Sequence, residues 1–556
     1  MTELPELPPS RAQRFERLES EPPDVVVVGG GVTGAGIALD LSLRGVRVLL
    51  VERGDWAAAT SSASSRLIHG GLRYLEQYEF GLVRESCRER ALLLRNAAGL
   101  VWPERFAFPV RRGDRVGLIK LAAGMLLYAA VSLPRTLGLP HVIGRREVAR
   151  RIRGVATDGL RGAGVYLDAA TDDARLTLAV VLAAMDAGAI CLSRVEALGI
   201  EAGSMAAVEL RDLLGGGTFP GSGGTFRVTA RAAVLAGGPF SDELRGRAGL
   251  AGGWISPTRG THVALPRERL PTDGAVIFPS PVDGRVMFLV PWPRYTVLGT
   301  TDLDASPGEE VRATRAEVRY LLDSANGLAP DAALTEDDVV STWAGLRPLL
   351  AAPDRDPSER SREERIQRDG PIYTIAGGKL TAFRSMAEKI GARLTDELGI
   401  GRRGASSPTR DHLLPGALSE RAPRPNWSSL APDGKPALGR EPILHAWAKR
   451  YGARQELVKD TCMRAQEGLR ALDAETLLGE VDWAVRHEDC LRPSDFFLRR
   501  TDLGLGPRAI ADEAASLVIE RMRDLFGWDS DEARSAADEL RESLDRGERW
   551  RKEAPG

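Results

Sequence analysis

The chain has 556 residues, 43% of them hydrophobic and 27% charged, the make-up of a folded protein of several domains at about 100–200 residues each, and not of a disordered or fibrous one. Its formal net charge of −2, from 75 Lys plus Arg against 77 Asp plus Glu, gives no global pull on nucleic acid, so an anion site has to be built from a few local cations. Cys87, Cys191, Cys462 and Cys490 are scattered without a C-x-x-C pair, which argues against a metal site or a disulfide framework and fits a reducing compartment.

In chain order, residues 1–23 carry five prolines among charges and no apolar segment, so they are expected to form a disordered arm, not a signal peptide. Asp24–Gly30 reads as a buried strand, Val32–Gly45 as a helix and Val46–Glu52 as a second strand, a βαβ unit. A loop rich in hydroxyls and glycine follows (Ala59–Leu72), then a helix over Tyr74–Ala98. Leu121–Leu133 is uncharged but, at about 20 Å as a helix, too short for a hydrocarbon core of about 30 Å; it suits either a membrane interface or the protein interior. A helix after Asp168 and strands between 195 and 236 lead to residue 254, where alternating antiparallel strands begin, with Asp283-Gly284 as a hairpin turn. Ile372–Ile375 is expected as a strand and Leu380–Leu398 as a helix, and the Pro-, Ser- and Gly-rich stretch 401–436 as a linker to helices over 437–556.

Gly29, Gly31 and Gly34 fill a G-x-G-x-x-G pattern between the first strand and its helix. Such glycines permit a tight turn, close approach of backbone to a pyrophosphate and close helix–strand packing, and the helix N-terminus presents free N–H groups to the anion. Glu52, about twenty residues on, is placed to accept ribose hydroxyls. Gly237-Gly238 ends a further buried strand, and Gly377-Gly378-Lys379-Leu380-Thr381 precedes a helix. Three separated contact points and no second fingerprint favour FAD over a nicotinamide cofactor. The fold class expected is α/β: a Rossmann-type FAD-binding domain, an interleaved antiparallel β-sheet substrate domain and a C-terminal α-helical domain. The FAD-binding segments would span about 24–110, 160–250 and 370–400, with cap segments over 111–159 and 251–369.

The run TSSASSRLIHGGLRYLEQYEFGLVRES, from Thr60, resembles the FAD-dependent glycerol-3-phosphate dehydrogenases, the respiratory and NAD-independent kind. The resemblance extends to Asp172–Leu176, Gly299–Asp302, Gly345–Pro348, Gly377–Thr381, His487-Glu488 and Arg499–Thr501, and so covers roughly residues 24–510. It implies oxidation of sn-glycerol 3-phosphate at C2 to dihydroxyacetone phosphate, by hydride transfer to flavin N5. The matching substrate positions are Arg73, Tyr74, His262, Arg347, Arg368 and Lys379. His262 is the expected base, with His69 as its rival, and Arg347 the partner of the developing alkoxide. Thr60, Ser61, Ser62, Ser65, His69, Gly70, Gly71 and Leu72 would contact the flavin, together with Gly237, Gly238, Gly378, Lys379, Leu380 and Thr381. The family usually has Ala-Thr-Gly-Pro-Trp where this chain has Ala236-Gly237-Gly238-Pro239-Phe240.

The resemblance further implies a quinone acceptor and a cytoplasmic enzyme held peripherally on the inner face of the membrane, with Leu121–Leu133, between Lys120 and Arg135, at the interface. Oxygen as acceptor, an amino-acid-oxidase type of reaction and a flavin-binding sensor are the alternatives, and homodimerisation is left open.

Overall fold

A computed structural model describes residues 8–75, 78–133, 135–214, 224–305, 308–351, 364–402, 407–418 and 440–554, with Arg73, residues 440–442 and His445 described by backbone alone. The elements that build and brace the site are, in chain order, helix α1 (Arg11–Ser20), β1 (Val25–Val28), α2 (Val32–Leu43), β2 (Val48–Val51), α3 (Phe80–Asn96), β3 (Val101–Arg111), α4 (Leu118–Ser132), β4 (Leu160–Thr171), α5 (Asp173–Asp186), β5 (Ile190–Leu192), β6 (Ala232–Leu235), β7 (Thr258–Pro266), β8 (Tyr295–Gly299), β9 (Ser341–Arg347), β10 (Glu364–Asp369), β11 (Ile372–Gly377) and α6 (Phe383–Leu398).

Six strands form the nucleotide-binding sheet in the order β10–β11–β6–β1–β2–β5. The four valines of β1 are all buried, as a strand covered on both faces must be. β1 pairs in parallel with β6 on one side and β2 on the other, Val25 lying opposite both Ala232 and Val48. The strand order reverses there, at the crevice where such sheets receive ligands. α2 packs against α5 and α6 and is buried almost all round. It can do so because it is lined with small residues: a Cβ on Gly36 would lie 2.9 Å from the Phe383 ring.

A ten-stranded sheet makes the second layer. β3 and β4, expected within the flavin segments, run in this sheet, while β10, expected in the cap, closes the nucleotide sheet. The reason is length: β3 and β4 pair antiparallel from Val101↔Thr171 to Arg111↔Leu160, and so long a ladder carries the chain out of one domain and into the other. β7 lies between β8 and β9, with His262 opposite Gly299 on one side and Trp343 on the other.

The amino-terminal arm, expected to be disordered, contains α1. Ser10 and Gln13 form a capping box, Leu18 is buried, and Arg14 reaches the Cys191 carbonyl at 2.6 Å and Asp489 at 2.5 Å. Its arginines thus find partners deep in the molecule, which composition could not show. In the expected linker, residues 407–418 are ordered against the core, where Ser407 hydrogen-bonds Asp40 and Asn96 donates to the Thr409 carbonyl at 3.2 Å; residues 419–436 lie outside the described residues. Beyond residue 440 the chain is mainly helical, around a core that includes Val481, Phe496, Phe497, Val518 and Met522. This domain is fastened by buried ion pairs: Arg500 holds Asp55 with Nη1 and Nη2 at 2.7 and 2.8 Å, and Arg175 holds Glu488 with two bonds of 2.7 Å.

α4 is buried on one side and exposed on the other. Leu121, Met125, Tyr128 and Ala129 are buried, while Ile119, Leu126 and Leu127 are exposed. Among the described residues no helix is long and apolar enough to cross a membrane.

Candidate active site

One cavity of about 1080 Å³ joins the separated motifs. It runs from the glycine fingerprint, past Thr60–Leu72, Gly237–Phe240 and Gly377–Thr381, to His262 and Arg347.

The three fingerprint glycines divide the work. Gly29 has φ +117°, and a Cβ there would lie 2.5 Å from the Ala236 carbonyl oxygen. A Cβ on Gly34 would lie 1.9 Å from the carbonyl oxygen of Gly29, so Gly34 serves the turn and does not line the cavity. Gly31 lines it, and a Cβ there would meet only Ser61 Oγ, at 3.2 Å. Its missing side chain is therefore room for a ligand at the start of α2, where the N–H of Val32 donates to Ser61 Oγ at 3.0 Å and a helix N-terminus favours an anion. Glu52 takes N–H donors from Gly30 on Oε2 (2.7 Å) and Gly54 on Oε1 (2.8 Å), and each oxygen keeps acceptor capacity for ribose hydroxyls. An open cradle for phosphate, a carboxylate for ribose and a long continuous cavity fit FAD.

The loop between Ala59 and Leu72 is held by acids that its own sequence does not reveal. Asp173 accepts the Ser64 N–H at 2.9 Å and the Ser64 hydroxyl at 2.6 Å, and burial pushes its carboxyl up to about 6. Asp168, buried, accepts the Gly70 N–H at 3.2 Å and the Tyr128 hydroxyl at 3.0 Å, and pairs with Arg90. His69 is tied through its backbone to Thr381, whose Oγ1 lies 3.3 Å from the His69 amide nitrogen.

The far end of the cavity is made by strand register. Successive residues on one face of β7 are Thr258, Gly260 and His262, and β9 places Arg347, Gly345 and Trp343 opposite them. Glycine at 260 leaves a floor for the Arg347 guanidinium, since a Cβ there would lie 2.2 Å from Nη2. Arg347 is fixed by Asp302 (Nη1, 2.9 Å), Thr300 Oγ1 (Nη2, 2.9 Å) and the Thr301 carbonyl (Nη2, 3.0 Å). His262 is 2% exposed and stacks on Trp343 with centroids 5.2 Å apart and planes 11° apart. On its other side Gly299 makes room for the ring: a Cβ there would be 2.2 Å from Cδ2. Its Nε2 lies 2.9 Å from Ser65 Oγ, and Nδ1 has no hydrogen-bond partner among the described residues. Burial first, then the positive charges of Arg347 and Arg66, push its pKa down to about 3, so the imidazole is neutral. Across the cavity, Lys379 Nζ sits 4.4 Å from the centroid of the Tyr74 ring.

Of the expected site residues, Gly29, Gly31, Glu52, Thr60, Ser61, Ser65, His69, Gly71, Leu72, Tyr74, Gly237, Gly238, His262, Arg347, Gly378, Lys379, Leu380 and Thr381 all line this cavity. Ser62 does not, and Gly70 is turned to Asp168. The Arg73 side chain lies outside the described residues. Arg368 needs correction: it is 41% exposed in its side chain, pairs with Glu397 at 2.9 Å and does not line the cavity. In β10 it lies opposite Tyr373, whereas Glu364 lies opposite Gly377 at the cavity end, so register carries Arg368 to the wrong end of the strand. Asp302 and Asp173 lie in motifs that carry the resemblance but had no role assigned there, and Trp343 and Asp168 were not singled out; long-range pairing makes them part of the site.

Residues 24–384 match the family of FAD-dependent oxidoreductases, and residues 407–533 match the C-terminal domain of alpha-glycerophosphate oxidase. Both the cradle at Gly31 and this match make the chain an FAD-dependent oxidoreductase. Among curated proteins, the aerobic glycerol-3-phosphate dehydrogenase of Bacillus subtilis is 33% identical over 517 residues, 91% of this chain and 92% of its own. That of Staphylococcus saprophyticus is 32% identical over 552 residues, 96% of each chain. Among solved structures, the glycerol-3-phosphate dehydrogenase from Bacillus halodurans complexed with FAD superposes with a TM-score of 0.77 at 27% identity, covering 97% of this chain and 98% of the other. The chain belongs to the FAD-dependent glycerol-3-phosphate dehydrogenase family, and its cofactor is FAD.

Proposed function

We propose that the protein oxidises sn-glycerol 3-phosphate at C2 to dihydroxyacetone phosphate and delivers the electrons to a quinone. The observation that carries the reading is that Arg347, Lys379, Tyr74 and neutral His262 all line the one cavity. A small phosphorylated alcohol needs cations for its phosphate and a neutral base for its hydroxyl, and this lining offers both. Bound FAD supplies the two-electron acceptor for the hydride that leaves C2. His262 takes the proton of the 2-hydroxyl, with Ser65 holding its Nε2. Burial is the main reason the imidazole's proton affinity is low and the Arg347 charge adds to it; a phosphate dianion beside Arg347 offsets that second part, so the base strengthens when substrate arrives. The Arg347 guanidinium, pinned over Gly260, stabilises the developing alkoxide without having to reorganise. His69 is placed by its backbone and serves the flavin side of the cavity.

The quinone reading is supported by the apolar part of the same cavity's lining. Phe106, Phe108, Val286 and Phe288 contribute to it together with Leu121 and Leu127 of α4. Beside it Ile119, Leu126, Leu133 and Leu139 are exposed, with Lys120 and Arg115 nearby in the chain, the composition of a surface that lies on a lipid interface. The enzyme would then sit on the inner face of the cytoplasmic membrane and draw quinone from it.

The test is anaerobic addition of glycerol 3-phosphate to the FAD-loaded protein. Loss of the oxidised-flavin absorbance is expected, with fast recovery on adding a quinone and slow recovery in air. Flavin that stays oxidised would refute the substrate, and recovery as fast in air as with quinone would refute the acceptor.

A further inference from the structure

Arg66 occupies a place that the reaction above leaves unused. Its backbone has φ +58°, uncommon for a residue with a side chain, and is held by its N–H donating to Ser64 Oγ at 3.0 Å and its carbonyl accepting the Thr171 N–H at 2.9 Å. This conformation buries the side chain to 6% exposure. The guanidinium carbon lies 4.2 Å from the centroid of Trp292 and 5.6 Å from that of Trp343, and Trp343 is the ring stacked on His262. From the C-terminal domain, Asp502 closes the other side: Oδ1 is 3.8 Å from Arg66 Nη1, and Oδ2 accepts the Trp292 indole N–H at 3.3 Å. A column therefore runs from Asp502 through Arg66 and Trp343 to His262. Nothing in the local sequence of any one of these residues reveals it.

We propose that Arg66, clamped by Asp502, is a positioning residue for His262, holding the Trp343–His262 stack in place with a fixed charge, so that the C-terminal domain completes the active site. This rests on the reading of His262 as the base. The charged groups are disposed to make the effect directional. His262 is faced by Arg347 and Arg66; Arg66 is faced by Asp502 and Asp173; Lys449, 3.2 Å from the Trp292 centroid, adds a further cation behind that ring. Burial is the main reason the imidazole stays neutral; a cation on the cavity side and another on the Trp343 side add to it, and the negative charge of substrate works against both.

The experiment uses the full-length, FAD-loaded protein with ¹³C-labelled histidine. The chain has six histidines, and His262→Gln assigns the resonance. In Arg66→Met the His262 titration should move up, and kcat should fall at least about tenfold with KM for glycerol 3-phosphate nearly unchanged. Arg66→Lys keeps the charge and loses the flat fork, so the titration should stay near that of the wild type while kcat falls. Asp502→Asn should also lower kcat at full flavin content, without any upward move of the titration. An unmoved titration in Arg66→Met, or wild-type kcat in Asp502→Asn, would overturn the proposal. If Arg66→Met does not accumulate as holoenzyme, Asp502→Asn decides by its kcat. Full turnover in His262→Gln would instead refute the base assignment, and the titration in Arg66→Met would still report on the coupling.

Discussion

Gly31→Val isolates cofactor binding from folding. Gly31 sits at the start of α2 with φ −73° and ψ 175°, extended backbone that valine adopts freely, and a Cβ there meets only Ser61 Oγ at 3.2 Å. The polypeptide therefore tolerates the side chain, and its branches project into the space left for the diphosphate. If they block two charge-assisted bonds from backbone N–H groups, at about 1.5–3 kcal/mol each, the loss is about 3–6 kcal/mol, or roughly a hundredfold to ten-thousandfold in FAD affinity. Titration of FAD into apoprotein, followed by flavin fluorescence, should show this weakening, while the thermal midpoint of the apoprotein stays within about two degrees of wild type. Gly34→Ala is the contrasting case. Its Cβ would lie 1.9 Å from the Gly29 carbonyl oxygen, so it should destabilise the apoprotein itself. A Gly31→Val protein that purifies fully loaded, with wild-type affinity, would refute the placement of the diphosphate at this turn.

Arg347→Ala should lower kcat/KM for glycerol 3-phosphate at least about a hundredfold, or about 2.7 kcal/mol at the transition state; steady-state rates with a soluble dye acceptor decide it. Arg368→Ala, by contrast, removes contacts away from the cavity, with Glu397, the Gly370 carbonyl and the Tyr373 ring, and should leave kcat/KM within about twofold; a loss like that of Arg347→Ala would return Arg368 to the substrate site. Ile119→Glu with Leu126→Glu removes about 3 kcal/mol of apolar transfer from the exposed face of α4 and should abolish cosedimentation with anionic liposomes at unchanged flavin content; retained binding would move the membrane contact elsewhere. The acid dependence of stability follows from two groups of opposite sign. The unfolded chain protonates His262 near its ordinary 6.5, whereas the fold holds it down to about 3, so this contribution is complete above about pH 6.5 and is lost as pH falls, by up to about 1.36 kcal/mol per unit. Asp173, held up to about 6, keeps its proton in the fold while the unfolded chain gives it up above about 3.8, so its contribution is lost as pH rises through that window. The two slopes oppose each other in the wild type. The difference in unfolding free energy between wild type and His262→Gln should therefore grow by about 1.36 kcal/mol per unit from about pH 4.5 to 6, and parallel denaturation curves would show that His262 is not held neutral.

The nucleotide half was legible because its signals are local. Four valines, a glycine spacing and a carboxylate within thirty residues specify a strand, a turn and a helix whatever follows, and β1, α2 and β2 lie where that pattern puts them. The wall proposed to be catalytic was legible only as a resemblance. Gly260, His262, Gly299, Trp343 and Arg347 acquire meaning through the register of three strands drawn from 258–347, and no window of one strand shows that a glycine faces a neighbour's arginine. Arg368 went astray for the same reason: one position among alternating charges looks like another until pairing with β11 sets its distance from Gly377.

The helical domain shows why length and composition understate connection. Asp489 binds Arg14 of the amino-terminal helix, the Trp56 indole N–H (2.9 Å) and the Ser193 hydroxyl (2.8 Å). Asp55, the neighbour of Trp56, is held by Arg499 and Arg500. Asp55 and Trp56 lie just beyond β2 and Glu52, so the helical domain is bolted to the turn that follows the carboxylate proposed for ribose. A buried charge left without its partner costs about 3–5 kcal/mol, and these pairs therefore resist separation of the helical domain from the nucleotide sheet. The junction is accounted for if the domain must stand in one fixed place relative to the cavity, which is what a carboxylate at position 502 acting on the His262 stack demands.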